Sequence, residues 1–99
     1  MKFLVTFAIG QDKYLPIMKK WVSMSPQERA DAGEGVKIIG RWHATGSRTG
    51  VAILETDDLP AMQRYIGRWN PFMEATVEPV LDDEEVAVIG RQILADHNA

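Results

Sequence analysis

The hairpin that decides the fold of this chain reads VKIIGRWHA over residues 36–44, TGSRTG over 45–50 and VAILET over 51–56. The first and last segments are rich in apolar and β-branched residues, which is typical of strands. Glycine, serine and threonine fill the middle segment, as is typical of a turn. Residues 36–56 are therefore predicted to form two antiparallel strands joined by a turn-rich loop.

The segments outside the hairpin carry four helix starts, recognised by capping residues or acidic runs ahead of regularly spaced apolar residues. In chain order they are Asp12, the capping box Ser25-Pro26-Gln27-Glu28, Asp57-Asp58 and the acidic run Asp82-Asp83-Glu84-Glu85. The third helix is expected to end at Gly67, which leaves Trp69 in an irregular segment. The run at 82–85 is favourable at a helix start because it opposes the helix dipole.

Further strands are predicted over 2–8 and 75–81, with Pro79 marking an edge or a bend. The resulting order is strand, helix, strand, strand, helix, strand, followed by an additional helix. This order predicts an α+β fold, a ferredoxin-like βαββαβ sandwich with a four-stranded antiparallel sheet and an extra C-terminal helix. No repeat or long linker divides the chain, so residues 1–99 are expected to form a single domain.

The register of the hairpin predicts which side chains share a face of the sheet. Pairing Ala44 with Gly50 is preferred because it separates an apolar set from a mixed one. It places Trp42 in the helix-covered core and puts Arg41 and His43 on the second face, among isoleucines and a valine. Such a face is expected to be covered, and a homodimer that packs the two open sheet faces together would cover it.

The composition limits the classes of function. The 99 residues include 11 basic and 14 acidic ones, with a net charge of −3 and no cysteine. No basic face is available for nucleic acid, and cysteine-based metal sites and thiol catalysis are excluded. No apolar stretch approaches the roughly 20 residues of a membrane helix, so a cytoplasmic protein is expected. No ligand spacing predicts a metal, and no cofactor is expected.

The candidate ligand-binding residues are Arg41, His43, Glu55, Trp69 and Asn70. His43 is also the candidate catalytic acid or base, since imidazole titrates near neutral pH; the alternative is a hydrogen-bonded histidine at a dimer seam. Arg41 is either an anion clamp or the partner of Glu55 in a salt bridge that only fixes the sheet. Trp69 either walls the mouth of a pocket or caps the core.

Several segments resemble those of known proteins. They are Lys2-Phe3-Leu4-Val5-Thr6-Phe7, Gly40-Arg41-Trp42-His43, Glu55-Thr56-Asp57-Asp58, Trp69-Asn70 and Pro79-Val80-Leu81-Asp82-Asp83-Glu84. With the chain length and strand order, they resemble the dimeric α/β-barrel superfamily, and more closely a family of small bacterial proteins of unknown function. The superfamily packs two such sheets face to face, and it includes cofactor-independent monooxygenases, muconolactone isomerases, haem-degrading enzymes and stress-responsive proteins. The resemblance implies a dimer with a small-molecule cavity, without selecting a chemistry.

Three functions follow as hypotheses. The first is binding of a small apolar or weakly anionic molecule in a cavity lined by the sheet, with Arg41 and His43 as its polar contacts. The second is a cofactor-independent monooxygenase- or isomerase-like enzyme in which His43 accepts a proton. The third is a non-catalytic dimeric scaffold. Whether the chain is an enzyme stays open, because no second catalytic group can be assigned.

Overall fold

A computed structural model describes residues 1–98 and has the α+β order predicted from the sequence. The strands are β1 (Lys2–Ile9), β2 (Lys37–His43), β3 (Thr49–Glu55) and β4 (Met73–Val80). The helices are α1 (Gln11–Ser23), α2 (Pro26–Ala30), α3 (Leu59–Trp69) and α4 (Asp83–Asp96). The strands form one antiparallel sheet in the order β2-β3-β1-β4, which is the ferredoxin-like order.

The hydrophobic core lies between one face of the sheet and helices α1 and α3. Alternate residues of the two central strands point into it, as the period of two requires. The buried apolar side chains are Phe3, Val5 and Ile9 from β1, Ala52 and Leu54 from β3, Ile17 from α1, Met62 and Tyr65 from α3, and Ala32 from the segment after α2. This face of the sheet is the helix-covered face, and the opposite one is the open face.

The start of α2 has the predicted capping box. The hydroxyl of Ser25 accepts the backbone N–H of Glu28 at 3.1 Å, and the Glu28 carboxylate accepts the Ser25 N–H at 2.9 Å. The cap predicted at Asp12 is wrong, because the N-cap is Gly10, two residues earlier, and α1 begins at Gln11. The Asp12 carboxylate instead lies in the first turn, where it opposes the helix dipole.

Helix α3 runs past its predicted end at Gly67 and includes Trp69. A glycine inside a helix costs about 1 kcal/mol relative to alanine, which a well-packed helix tolerates. The packing of α3 is extensive, since Met62 and Tyr65 are buried and Trp69 lies against the core. Trp69 is therefore a helical residue and not part of an irregular segment.

The hairpin pairs one residue away from the predicted register. His43 lies opposite Gly50, and Arg41 lies opposite Ala52. The pairing shifts at Ile39, which forms a β-bulge in β2. A bulge places two residues of one strand opposite one residue of its partner, so the alternation of faces changes on passing it.

The bulge reverses the faces predicted for Gly40-Arg41-Trp42-His43. Ile38 before it and Arg41 and His43 after it all lie on the helix-covered face. Trp42 lies on the open face and is 60% exposed, and its ring covers Gly40 so closely that a Cβ atom there would overlap with it. The prediction of Trp42 in the core, with Arg41 and His43 on the second face, is therefore wrong.

Helix α4 projects from the rest of the structure. Every residue in it except Gly90 is exposed, and none is buried. Residues 1–98 extend over 56 × 30 × 21 Å with a radius of gyration of 16.7 Å. A compact domain of this length has a radius of about 13 Å, so the described chain is elongated. Among the described residues, no helix has the length and apolar character to cross a membrane.

Candidate functional site

A cavity of about 70 Å³ lies between the helix-covered face of the sheet and helices α1 and α3. Apolar side chains form most of its wall: Val5, Phe7, Ala52 and Leu54 from the sheet, and Ile17, Met18, Trp21, Ile66 and Trp69 from the helices. Three polar side chains reach the same wall, namely Arg41, His43 and Tyr65. An apolar pocket with a few convergent polar groups is the usual form of a small-molecule site.

Arg41 reaches this cavity from β2 because the bulge at Ile39 turns it to the helix-covered face. Its Nη2 atom donates to the carbonyl oxygen of Arg29 at 3.1 Å and to the hydroxyl of Tyr65 at 3.1 Å. The guanidinium carbon lies 4.8 Å from the centre of the Trp21 ring, which is a cation–π distance. Helices α1, α2 and α3 therefore each contribute one contact that orients the guanidinium.

The positive charge of Arg41 has no carboxylate partner in the described chain. The group is half-buried, and within residues 1–98 no carboxylate oxygen lies within 4.0 Å of it. Both of its side-chain hydrogen bonds are made by Nη2 to neutral acceptors. No buried side-chain N or O atom of the described residues lacks a partner, so the other guanidinium N–H groups remain accessible. They are free to donate to a ligand.

His43 lies beside Arg41 at the edge of the cavity. Its ring meets Phe7 edge-on at 5.8 Å between centroids and Trp21 at 5.7 Å, with its outer side exposed. Burial against these rings lowers the pKa of His43 below its usual 6.5, and the positive charge of Arg41 lowers it further. The imidazole is therefore mostly neutral at pH 7, so it can accept a proton or a hydrogen bond.

His43 and Trp21 also line a wider groove of about 630 Å³ on the outer side of α1. The other residues of this groove include Gln11, Tyr14, Leu15, Gly46, Arg48 and Thr49. The cavity and the groove thus share a wall at His43 and Trp21. Pockets for drug-sized ligands measure about 300–1,000 Å³, so the cavity alone accommodates a much smaller molecule or one apolar end of a larger one.

Trp69 forms the opposite end of the cavity as part of an aromatic cluster. Its ring meets Trp21 at 6.4 Å and Phe72 at 6.4 Å, both edge-on. The ammonium of Lys20 lies 5.3 Å from the centre of the Trp69 ring and covers it from outside. Both roles predicted for Trp69 agree with this position, since its ring lines the cavity and also packs against the hydrophobic core.

Residues 1–94 match a family model described as a domain of unknown function, DUF3303. The chain belongs to the DUF3303 family. The matched range contains the whole sheet, helices α1 to α3 and every residue of the cavity. None of the curated proteins matches the chain. Membership in a family of unknown function agrees with the predicted resemblance at that level, while the wider superfamily remains an expectation.

In this DUF3303 protein the structure gathers three of the five predicted site residues, Arg41, His43 and Trp69, around one cavity. Glu55 lies on the open face and contacts Lys2 at 3.7 Å, so the predicted salt bridge between Arg41 and Glu55 is wrong. Asn70 is an exposed helix cap outside the cavity.

Trp21 and Tyr65 are cavity residues that were not among the five predicted from the sequence. Both occupy apolar faces of helices, where packing and ligand contact give the same periodic pattern. The one usable signal was the Tyr65 hydroxyl, because a buried tyrosine needs a hydrogen-bond partner. Across residues 1–98, no group of three or more potential metal ligands is present.

Proposed function

We propose that this protein binds a small carboxylic acid with an apolar body in the cavity between the sheet and helices α1 and α3. The carboxylate pairs with Arg41, and the apolar body lies against the wall that Trp21 and Trp69 form together. The observation that carries the proposal is a half-buried, oriented guanidinium without a carboxylate partner in the described chain. His43 supplies a second polar contact at the edge of the cavity.

The charge of Arg41 is the main support for an anionic ligand. An unpaired charge loses solvation free energy on burial, and a ligand anion restores it. A guanidinium held by Tyr65 and the Arg29 carbonyl loses little side-chain entropy when it binds a carboxylate. A carboxylate is favoured because it accepts a charge-assisted hydrogen bond from a guanidinium N–H other than those of Nη2, which already donate to Arg29 and Tyr65.

Benzoate and benzamide test the proposal because they share a shape and differ in charge. Calorimetric titration should show benzoate binding at least about tenfold more tightly than benzamide, which equals about 1.4 kcal/mol. Arg41→Met should remove this preference, since the methionine keeps the apolar stem and lacks the charge. Arg64→Met is the matched control: Arg64 is exposed on α3, outside the cavity, and its removal should leave the preference unchanged.

The outcomes separate the two parts of the proposal. Equal affinities for benzoate and benzamide would contradict the anion site and leave an apolar cavity. Absence of binding by both probes would contradict the binding function itself. A preference for benzoate that persists in Arg41→Met would show that a cationic group other than Arg41 binds the carboxylate.

A proton-transfer enzyme is the second candidate function. It is favoured by the position of His43 between the cavity and the groove and by its lowered pKa, which leaves a neutral base at pH 7. Proton NMR in deuterated buffer, with 2-oxobutanoate as probe, would reveal exchange of its C3 protons by enolisation. His43→Gln should abolish enzyme-dependent exchange; exchange at an unchanged rate would exclude His43 as the base.

A homodimer is proposed to accompany either activity. The open face of the sheet carries Trp42, Val51 and Ile53, and Trp42 is 60% exposed. A four-stranded sheet with such a face is stabilised when a second layer covers it. Packing of a second copy against this face supplies that layer, as the resemblance to the dimeric α/β-barrel superfamily implies.

A further inference from the structure

We propose that α4 is an exchanged arm, whose apolar face packs against the open sheet face of a second copy of this chain. The inference rests on the homodimer proposed above and assigns α4 the contact that completes it. Each copy would give one arm and receive one. The two unpartnered apolar surfaces of the chain would then cover each other.

The first observation concerns α4 itself. Val86, Ile89 and Ile93 recur at intervals of three and four residues and form one apolar stripe. They are 53%, 43% and 52% exposed, respectively, so the described chain leaves the stripe largely uncovered. An isolated helix of this length is marginal in water and depends on packing of its apolar face. The stripe therefore needs a partner surface.

The second observation concerns the open face of the sheet. Its apolar residues are concentrated on the β2–β3 half, where Ile39 is 47%, Trp42 60% and Val51 37% exposed. The β1–β4 half is polar by comparison and carries Thr6, Glu74, Thr76 and Glu78. The α4 stripe consequently fits the β2–β3 half of a second copy, and the β1–β4 half remains for contact between the sheets.

The third observation is how α4 leaves the sheet. Only Leu81 and Asp82 separate it from β4, and a capping box between Asp82 and Glu85 fixes its first turn. Lys2 of the neighbouring strand β1 lies 3.4 Å from Asp82 and 3.9 Å from Glu85. Held in this position, α4 does not cover the open face of the sheet in its own chain. Exchange of an identical element between two copies makes the same contact twice, which favours a closed dimer.

The area of the two surfaces supports a second copy as the occupant. Strand spacing and rise give the open face a footprint of about 500 Å². One face of a 14-residue helix adds about 200 Å². Stable interfaces bury about 800 Å² per partner, so the sheet face alone falls well short and the arm brings the total close to that value.

Cross-linking between engineered cysteines tests the exchange, because the chain has no cysteine of its own. The double variant Ile89→Cys, Val51→Cys carries one thiol on the α4 stripe and one on the apolar half of the sheet. A short bis-maleimide should join two chains and give a dimer band on a denaturing gel. The control pair Arg91→Cys, Val51→Cys places the helix thiol about 200° away around α4 and should give at least about tenfold less of this product.

The outcomes distinguish the arm from the dimer. Light scattering that finds a monomer at micromolar concentration would overturn both proposals. A dimer in which the cross-link forms within one chain, or not at all, would overturn the exchanged arm alone. A second pair of variants does not depend on cross-linking: Ile89→Glu with Ile93→Glu should weaken the dimer at least about tenfold, while Val88→Glu on the opposite side should not. Equal dimer affinity in these variants would also overturn the arm.

Discussion

At the scale of single residues, two glycines decide where the aromatic rings around the site lie. Gly50 lies opposite Phe7 on one side and His43 on the other, and a Cβ atom at Gly50 would overlap with the Phe7 ring. Phe7 can therefore lie across β3 and reach His43. Gly40 does the same on the open face, where it leaves room for the ring of Trp42. The motif Gly-Arg-Trp-His combines one such glycine with two of the three polar cavity residues, Arg41 and His43.

Gly50→Ala should lower the free energy of unfolding by about 1–3 kcal/mol, because the added methyl group would overlap with the Phe7 ring and with the Trp42 carbonyl oxygen. Gly67→Ala is the matched control, since nothing lies within 4 Å of its added Cβ and the residue is helical. That control should stabilise the protein by up to about 1 kcal/mol. Urea unfolding of both variants gives the comparison. A Gly50→Ala protein as stable as the parent would contradict the close approach of Phe7.

The titration of His43 should report its surroundings. Proton NMR of the imidazole is expected to give a pKa below 6.5, because burial against Phe7 and Trp21 and the charge of Arg41 disfavour the protonated form. Arg41→Met should raise that pKa toward 6.5, since it removes the second cause and keeps the first. If the His43 pKa is the same in this variant as in the parent, the charge of Arg41 does not affect the protonation of the His43 imidazole.

The same shift gives a pH dependence of stability. The unfolded chain restores the His43 pKa to about 6.5, so between the lower folded value and about pH 6.5 the unfolded state binds more protons. The free energy of unfolding therefore rises with pH in this window. The contribution is complete above about pH 6.5 and is lost as the pH falls through the folded pKa. His43→Gln should show a smaller loss of stability than the parent on going from pH 7.5 to 5.5.

At the scale of elements, the sequence predicts strands and helices better than it predicts the faces of β2. Period-two alternation places Phe3, Val5, Ala52 and Leu54 in the core, and there the backbone follows the pattern. In β2 the bulge at Ile39 adds one residue, and its local signal, the adjacent Gly40 inside a strand pattern, was not used in the prediction. When the alternation is continued through a bulge that was not predicted, every later side chain of the strand is assigned to the wrong face of the sheet.

The bulge also explains why only part of the candidate site was predicted correctly. Arg41 and His43 were selected by their chemistry, which does not depend on the face, and both line the cavity. Glu55 was selected because the expected register placed it diagonally across from Arg41, and the bulge separates the two residues onto opposite faces. Contacts between distant segments, such as Tyr65 with Arg41, arise from helix packing on the sheet, so neither segment alone identifies its partner.

At the scale of the whole molecule, the described chain combines a covered site with two uncovered apolar surfaces. The cavity is lined within one copy by α1, α3 and the sheet, so the proposed ligand site does not need a residue from a partner. The open sheet face and the α4 stripe have no such cover, and the radius of gyration of 16.7 Å reflects the projecting helix. A small domain gains much of its stability from added buried area. The free energy of unfolding should therefore rise with protein concentration, whereas the affinity of the proposed ligand should be almost independent of it.

Thermal unfolding tests this coupling between stability and concentration. When a folded dimer unfolds to two chains, a hundredfold rise in concentration adds about 2.7 kcal/mol to the folded state. For a dimer of this size that free energy corresponds to a rise in Tm of about 5–10 °C. The double variant Ile89→Glu, Ile93→Glu should show a Tm that varies less with concentration, while Val88→Glu retains the full dependence. A parent Tm that stays constant over the hundredfold range would mean that the folded chain is equally stable alone, and that both apolar surfaces persist in water without a partner.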